Sequence, residues 1–127
     1  MKQTISLNRN EQFLQVYKKG KRTYHKHFTL HYLPNNLETN RLGIKAGKKL
    51  AKDVRRNRVR RLIKESYRLL EPEIATGYDL VVVAKDSCLS ADSLAETMSA
   101  LRHLLKHARL LSKGRPLPQG QAFEEEA

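Results

Sequence analysis

The first periodic stretch of the chain is NEQFLQVYKKG, residues 10–20, where Phe13, Val16 and Tyr17 share one stripe. That spacing predicts a short amphipathic helix. Asn8, with Glu11 three residues on, supplies its start signal and Gly20 its stop. In RTYHKHFTLHYL (22–33) the period changes to two. Tyr24, Phe28, Leu30 and Tyr32 then share one face of a predicted strand, and His25, His27 and His31 the other. PNNLETN (34–40) is turn chemistry, and RLGIKAG (41–47) alternates again, with Leu42, Ile44 and Ala46 inward and Arg41 and Lys45 outward. The two alternating runs read as a hairpin, followed by a loop holding Lys48, Lys49 and Lys52.

Residues 53–70 read as a helix capped by Asp53 and ended before Glu71-Pro72, since the residue before proline avoids helical angles. YDLVVVA (78–84) is the apolar, β-branched run expected of a strand covered on both faces. Ser93 and Glu96 form a capping-box pair, after which Leu94, Met98, Leu101, Leu105 and Ala108 repeat at helical spacing to about Leu111. The element order indicates an α+β protein, a two-layer α/β sandwich of one sheet and a few helices. Residues 1–111 read as a single domain. Residues 112–127, SKGRPLPQGQAFEEEA, read as a disordered tail.

A chain of 127 residues with 39% hydrophobic content can furnish one modest core. It contains no apolar run of about 18 residues, so no membrane span is expected. The N-terminal MKQTISLNRNEQF has no apolar run of signal-peptide type, which points away from secretion. Cys88 is the only cysteine, which excludes an internal disulfide and fits a reducing cytoplasm.

Charge changes the picture most. The net charge is +12, yet residues 41–68 hold twelve Lys and Arg against Asp53 and Glu65, a balance of +10. The other 99 residues carry only +2. Such a concentration repels itself unless a polyanion relieves it. Within it, DVRRNRVRRLIKESYR (53–68) places Val59, Leu62, Ile63 and Ser66 on one helical stripe, with Leu70 continuing it. Asn57, Arg61, Lys64 and Arg68 face the opposite way, with Arg58 and Arg60 at the margins. The apolar stripe anchors a row of cations to a rigid scaffold, and fixed cations lose less entropy on binding than a floppy arm. A merely solvated face would intersperse both signs, but Glu65 is the one acid between 54 and 70. A membrane-surface helix would carry a broader, bulkier apolar face. Nucleic acid fits best. Strands are expected on both sides of this helix, which argues against a helix-turn-helix DNA reader.

RLGIKAGKKLAKDVRRNRVRRLIKESYR (41–68) resembles the signature of the bacterial ribonuclease P protein subunit, an Arg-Leu/Ile-Gly strand, a Lys-Lys pair and an Arg-Asn-Arg helix. The resemblance extends to residues 10–20, 27–33 and 78–85. It implies one central mixed sheet of about four strands with three helices and a left-handed βαβ crossover. It also implies a protein subunit of an endoribonuclease whose RNA, with Mg²⁺, carries the chemistry of removing the 5′ leader from precursor tRNA. No catalytic side chain and no organic cofactor are then expected. The implied partners are the catalytic RNA, one protein per RNA, and precursor tRNA; no membrane is involved.

Arg56, Asn57, Arg58, Arg60, Arg61 and Lys64 match the signature. With Lys48, Lys49, Lys52, Arg55 and Arg68 they are the candidates for RNA contact. Phe13, Tyr17 and Phe28 match leader-cleft aromatics, with His31 at a sheet position often held by Tyr. Aromatic faces stack unpaired bases with little sequence preference. The same three aromatics suit an ordinary core equally well, and the sequence leaves both readings open. Gly47 stands where the family pattern has Ser, and Lys45 adds a charge. A structural, ribosomal-type RNA-binding protein is the alternative function.

Neither an acid cluster nor a nucleophile pair competes with that reading, since Asp79, Asp86 and Asp92 are scattered. The histidine spacings (His25, His27 and His31; His103 and His107) permit zinc, but neither set has Cys or a carboxylate completing a shell, so no metal site is expected.

Overall fold

The chain forms five strands and three α-helices, β1 (Thr4–Ser6), α1 (Asn10–Lys19), β2 (Lys21–Tyr24), β3 (Phe28–Pro34), β4 (Asn40–Lys45), α2 (Asp53–Leu70), β5 (Tyr78–Ala84) and α3 (Leu94–His107), among the described residues. The computed structural model describes residues 4–46, 53–90 and 93–111. The strands form one mixed sheet in the order β1-β4-β5-β3-β2, five rather than about four. β4 pairs parallel with β1 and β5, whereas β3 pairs antiparallel with β5 and β2.

The hairpin expected between 22–33 and 41–47 does not form. Residues 22–33 break at His25–His27, and the true hairpin is β2–β3, with the His25 N–H on the Phe28 carbonyl at 2.9 Å. β5 separates β3 from β4 because it alone is apolar toward both faces, and such a strand belongs at the doubly covered centre. Residues 35–39 carry the chain past the start of β5, where the Asn35 N–H reaches the Gly77 carbonyl at 2.8 Å.

Alternation divides the core. Phe28, Leu30, Leu42, Leu80 and Val82 face α2 and α3, while Val81, Val83 and Leu33 face α1 with Leu7, Phe13 and Val16. The sheet is thus covered on both faces, and α1 adds a layer to the two expected. α1 starts at Asn10 rather than near Asn8; Gln12 Oε1 accepts the Arg9 N–H at 3.2 Å. Ser93 caps α3, its Oγ accepting the Glu96 N–H at 3.1 Å. α3 ends at His107, short of Leu111. There the Arg109 N–H bonds to Lys106 O at 3.0 Å and the Leu110 N–H to Leu105 O at 2.9 Å, a Schellman closure with Arg109 at φ 62°. The cap expected of the Asp53 side chain and the tail expected at 112–127 lie outside the described residues.

Two buried polar clusters fix α2 and the sheet. Asn40 Nδ2 donates to Ala75 O at 2.8 Å and to Tyr67 Oη at 3.1 Å, while Asn40 Oδ1 accepts the Tyr78 N–H at 2.9 Å. Thr4 Oγ1 gives its single proton to Glu71 Oε2 at 2.6 Å, so Tyr67 Oη must donate to Thr4, at 2.8 Å. On the α1 face, Asp79 accepts Arg41 Nε and Nη2 at 2.7 Å each and Asn35 Nδ2 at 2.9 Å. Arg41, one of the twelve clustered cations, is therefore neutralised locally.

Candidate nucleic-acid interface

The α2 sequence sorts itself by period. Val59, Ile63, Ser66, Tyr67 and Leu70 are buried toward the sheet, and Leu62 is half-buried. Its 18 residues span about 27 Å, so the outward row is long and straight. Arg55, Asn57, Arg58, Arg61, Lys64 and Arg68 are exposed, while Arg56 and Arg60 are half-buried. Several of these cations are braced by neighbours. Arg55 Nη2 donates to Leu89 O at 3.2 Å, and Arg60 reaches Asn57 Oδ1 and Ala46 O at 3.4 Å each. Arg68 is paired with Glu65 at 3.0 Å through Nε, which holds the Glu65 carboxyl below its ordinary range. Among the described residues neither Arg61 nor Lys64 has an ion-pair partner. A groove of about 520 Å³ runs beside them, with Leu62 and Leu94 as its apolar lining and Arg58, Arg61, Lys64, Glu65 and Arg68 around them. Lys48, Lys49 and Lys52 lie outside the described residues.

A second surface lies across the sheet, on the α1 face. Tyr17 meets His31 edge-on, with centroids 4.8 Å apart, and both are half-buried. Burial pushes the Tyr17 phenol up; burial first, and Arg22 second, push the His31 imidazole down. Phe13 is 8% exposed, with Lys45 Nζ 4.7 Å from its ring centroid. Gly43 makes this possible, because a Cβ there would sit 2.6 Å from the Phe13 ring. Lys45 and Gly43 were not among the sequence candidates, although their alternation on β4 already puts them on one face.

Phe28 does not join this surface. It is 2% exposed and packs in the α2/α3 core, on the opposite face from Phe13, Tyr17 and His31. His31 lies three positions beyond Phe28, so strand alternation puts them on opposite faces. The histidine grouping also changes. His25 and His27 leave the strand for the β2–β3 turn, where His25 meets His103 at 5.3 Å between centroids, and His103 meets His107 at 4.2 Å. His25 Nδ1 accepts the His27 N–H at 3.0 Å, which places the ring proton on Nε2. Among the described residues no group of three or more His, Cys, Asp or Glu side chains is placed to hold a metal ion. The scattered acids stay apart, and Asp79 is occupied by Arg41 and Asn35. Among the described residues no helix is long and apolar enough to cross a membrane.

A rigid, one-sided cationic helix on a mixed α+β sheet defines the class: a small polyanion-binding protein. A family model described as ribonuclease P matches residues 1–109, and the chain belongs to that family. It is 42% identical over 112 residues to the ribonuclease P protein component of Alkaliphilus oremlandii, covering 88% of this chain and 97% of that protein. It is 44% identical over 103 residues to the corresponding component of Clostridium botulinum, covering 80% and 92%. Among solved structures, the RNase P protein of Staphylococcus aureus superposes with a TM-score of 0.77 at 28% identity, over 84% of this chain and 96% of that one. The RNase P protein from Thermotoga maritima gives 0.75 at 28% identity, over 80% and 96%.

Proposed function

We propose that the chain serves as the protein subunit of a cytoplasmic ribonuclease P, holding the RNA subunit with α2 and the 5′ leader of precursor tRNA with the α1 face. The observation that carries this reading is α2, whose apolar stripe is locked into the core while Arg61 and Lys64, on its outer face, have no ion-pair partner among the described residues. Arg55, Arg56, Asn57, Arg58, Arg60 and Arg68 extend that face, and Lys48, Lys49 and Lys52 precede it in sequence. Arginine forks suit phosphate oxygens, and counterion release supplies a large share of the binding free energy. On the α1 face, Tyr17 and His31 present ring edges and faces to an unpaired strand, with Lys45 and Arg22 at hand for its phosphates. Phe13 forms the floor. Phe28 has no part in it, since a ring 2% exposed cannot stack on a base.

Catalysis and Mg²⁺ belong to the RNA in this reading. The buried carboxylate of Asp79 is taken by a bidentate arginine, and the described residues offer no oxygen cluster of the kind Mg²⁺ prefers. No step is therefore assigned to a protein side chain. One protein per RNA suffices, since the two surfaces lie on opposite faces of a single chain.

Two variants test the division of labour. Arg61→Ala should weaken binding to a bacterial ribonuclease P RNA and lower the slope of log K against log salt by about 0.7–0.9. Phe13→Ala should weaken precursor tRNA binding by the holoenzyme more than mature tRNA binding. Equal losses on precursor and mature tRNA would return Phe13 to a purely structural role, and an unchanged salt slope for Arg61→Ala would remove α2 from the interface.

A further inference from the structure

A third concavity, of about 460 Å³, opens where the ends of α1, β3 and α3 meet the start of β5. Lys19, Lys21, His107 and Arg109 line it together with Tyr32 and Tyr78, whose ring centroids are 6.5 Å apart. None of its lining residues is acidic. None belongs to the α2 face, and only Leu33 is shared with the apolar cluster around Phe13. Its volume lies within the range of about 300–1,000 Å³ common to ligand pockets.

Two features fix the backbone that carries these cations. Gly20, between Lys19 and Lys21, lies so close to β3 that a Cβ there would come within 2.6 Å of Tyr32 O and 2.5 Å of Val16 O. The α1–β2 turn is thereby closed against the strand, which fixes the backbone of both lysines at the rim of the pocket. Arg109 occupies the left-handed position of the Schellman closure, at φ 62°, where glycine is the usual residue. Strained backbone at a non-glycine residue clusters at ligand clamps. Here it brings Arg109 into the lining of the same concavity as the two rings.

We propose that this pocket binds a nucleotide, with the base against Tyr32 and Tyr78 and the phosphate on Arg109, Lys21 and Lys19. Aromatic rings take the π-face of any base, and a forked guanidinium takes phosphate. An acidic peptide would use the cations and leave the ring pair idle. An unpaired nucleotide within an RNA strand and a free mononucleotide share this chemistry. The proposal stands apart from the subunit assignment, because it requires no ribonuclease P RNA.

The test is an equilibrium fluorescence titration of the full chain with two probes, 2-aminopurine riboside 5′-monophosphate and a trinucleotide carrying 2-aminopurine at its centre. Arg109→Gly removes the guanidinium at a position glycine favours, so the fold is retained, and circular dichroism verifies it. That variant should bind at least about tenfold more weakly than wild type. Lys106→Ala removes a nearby exposed charge that does not line the pocket, and it should stay within about twofold. Binding of both probes means that a free nucleotide suffices; binding of the trinucleotide alone means that the source is a strand. Either result with the expected variant pattern supports the site. Failure of both probes to bind wild type overturns it. So does wild-type affinity in Arg109→Gly, or an equal loss in Lys106→Ala.

Discussion

Replacing Tyr67 with Phe isolates what fastens the cationic helix to its sheet. The ring stays, so the packing of a side chain only 2% exposed is preserved. The hydroxyl goes, and with it the bond to Thr4 Oγ1 at 2.8 Å and the acceptor for Asn40 Nδ2 at 3.1 Å. Asn40 is 1% exposed, so water cannot replace the lost acceptor. One net hydrogen bond contributes about 1 kcal/mol, and an orphaned buried donor costs about 1–3 kcal/mol, so the loss should be about 2–4 kcal/mol. For a domain near 100 residues that lowers Tm by about 10 °C. Burial, the largest influence on the Tyr67 phenol, raises its pKa, so the hydroxyl remains a donor across the neutral range. Thermal unfolding followed by circular dichroism measures the drop. Binding to a ribonuclease P RNA at 25 °C, where the variant is still folded, should stay within about twofold, because the outer face is untouched. A Tm change below about 3 °C would refute the claim that this relay secures α2.

Three further outcomes follow from the same structure. Arg109→Gly relieves a left-handed residue, worth about 1 kcal/mol after part is returned to glycine's unfolded-state freedom, and should raise Tm by a few degrees in a thermal melt. Gly43→Ala drives a methyl into the Phe13 ring and should cost about 1–3 kcal/mol in denaturant unfolding; precursor tRNA should lose more affinity than the RNA subunit. His25 and His31 are both pushed below the ordinary imidazole range, by burial first, then by His103, His27 and lysines at His25 and by Arg22 at His31. The unfolded chain therefore takes up protons before the folded one, so stability is fully present above the ordinary imidazole pKa and is lost as pH falls through about 6.5 toward the depressed values. Melts between pH 7.5 and 5.5 should show this decline, with a flatter slope in His25→Asn.

Local pattern made α2 legible, because its period and its one-sided charge lie within a single helix. β5 was legible for the same reason, being apolar at consecutive positions. What depended on distant pairing was not. Unbroken alternation through residues 22–33 hid the turn at His25–His27, and neighbouring strands in sequence suggested a hairpin that β5 in fact separates. β1 is three residues long, too short to show a period. Tyr67 was missed because a tyrosine inside a basic run looks exposed, whereas its hydroxyl finds partners 27 and 63 residues away. Phe28 is different: its strand parity with His31 already excluded a shared surface. Arg41 read as a free cation because nothing local reveals its pairing with Asp79.

Whether this chain serves a catalytic RNA is decided by reconstitution. A bacterial ribonuclease P RNA is assayed for 5′ leader removal from precursor tRNA at low Mg²⁺, alone, with this chain, and with an Arg58→Ala, Arg61→Ala, Lys64→Ala variant. Cleavage should be restored by the chain, sharply reduced with the variant, and absent with protein free of RNA. Cleavage by RNA-free protein, or an RNA whose Mg²⁺ requirement the chain leaves unchanged, would contradict it.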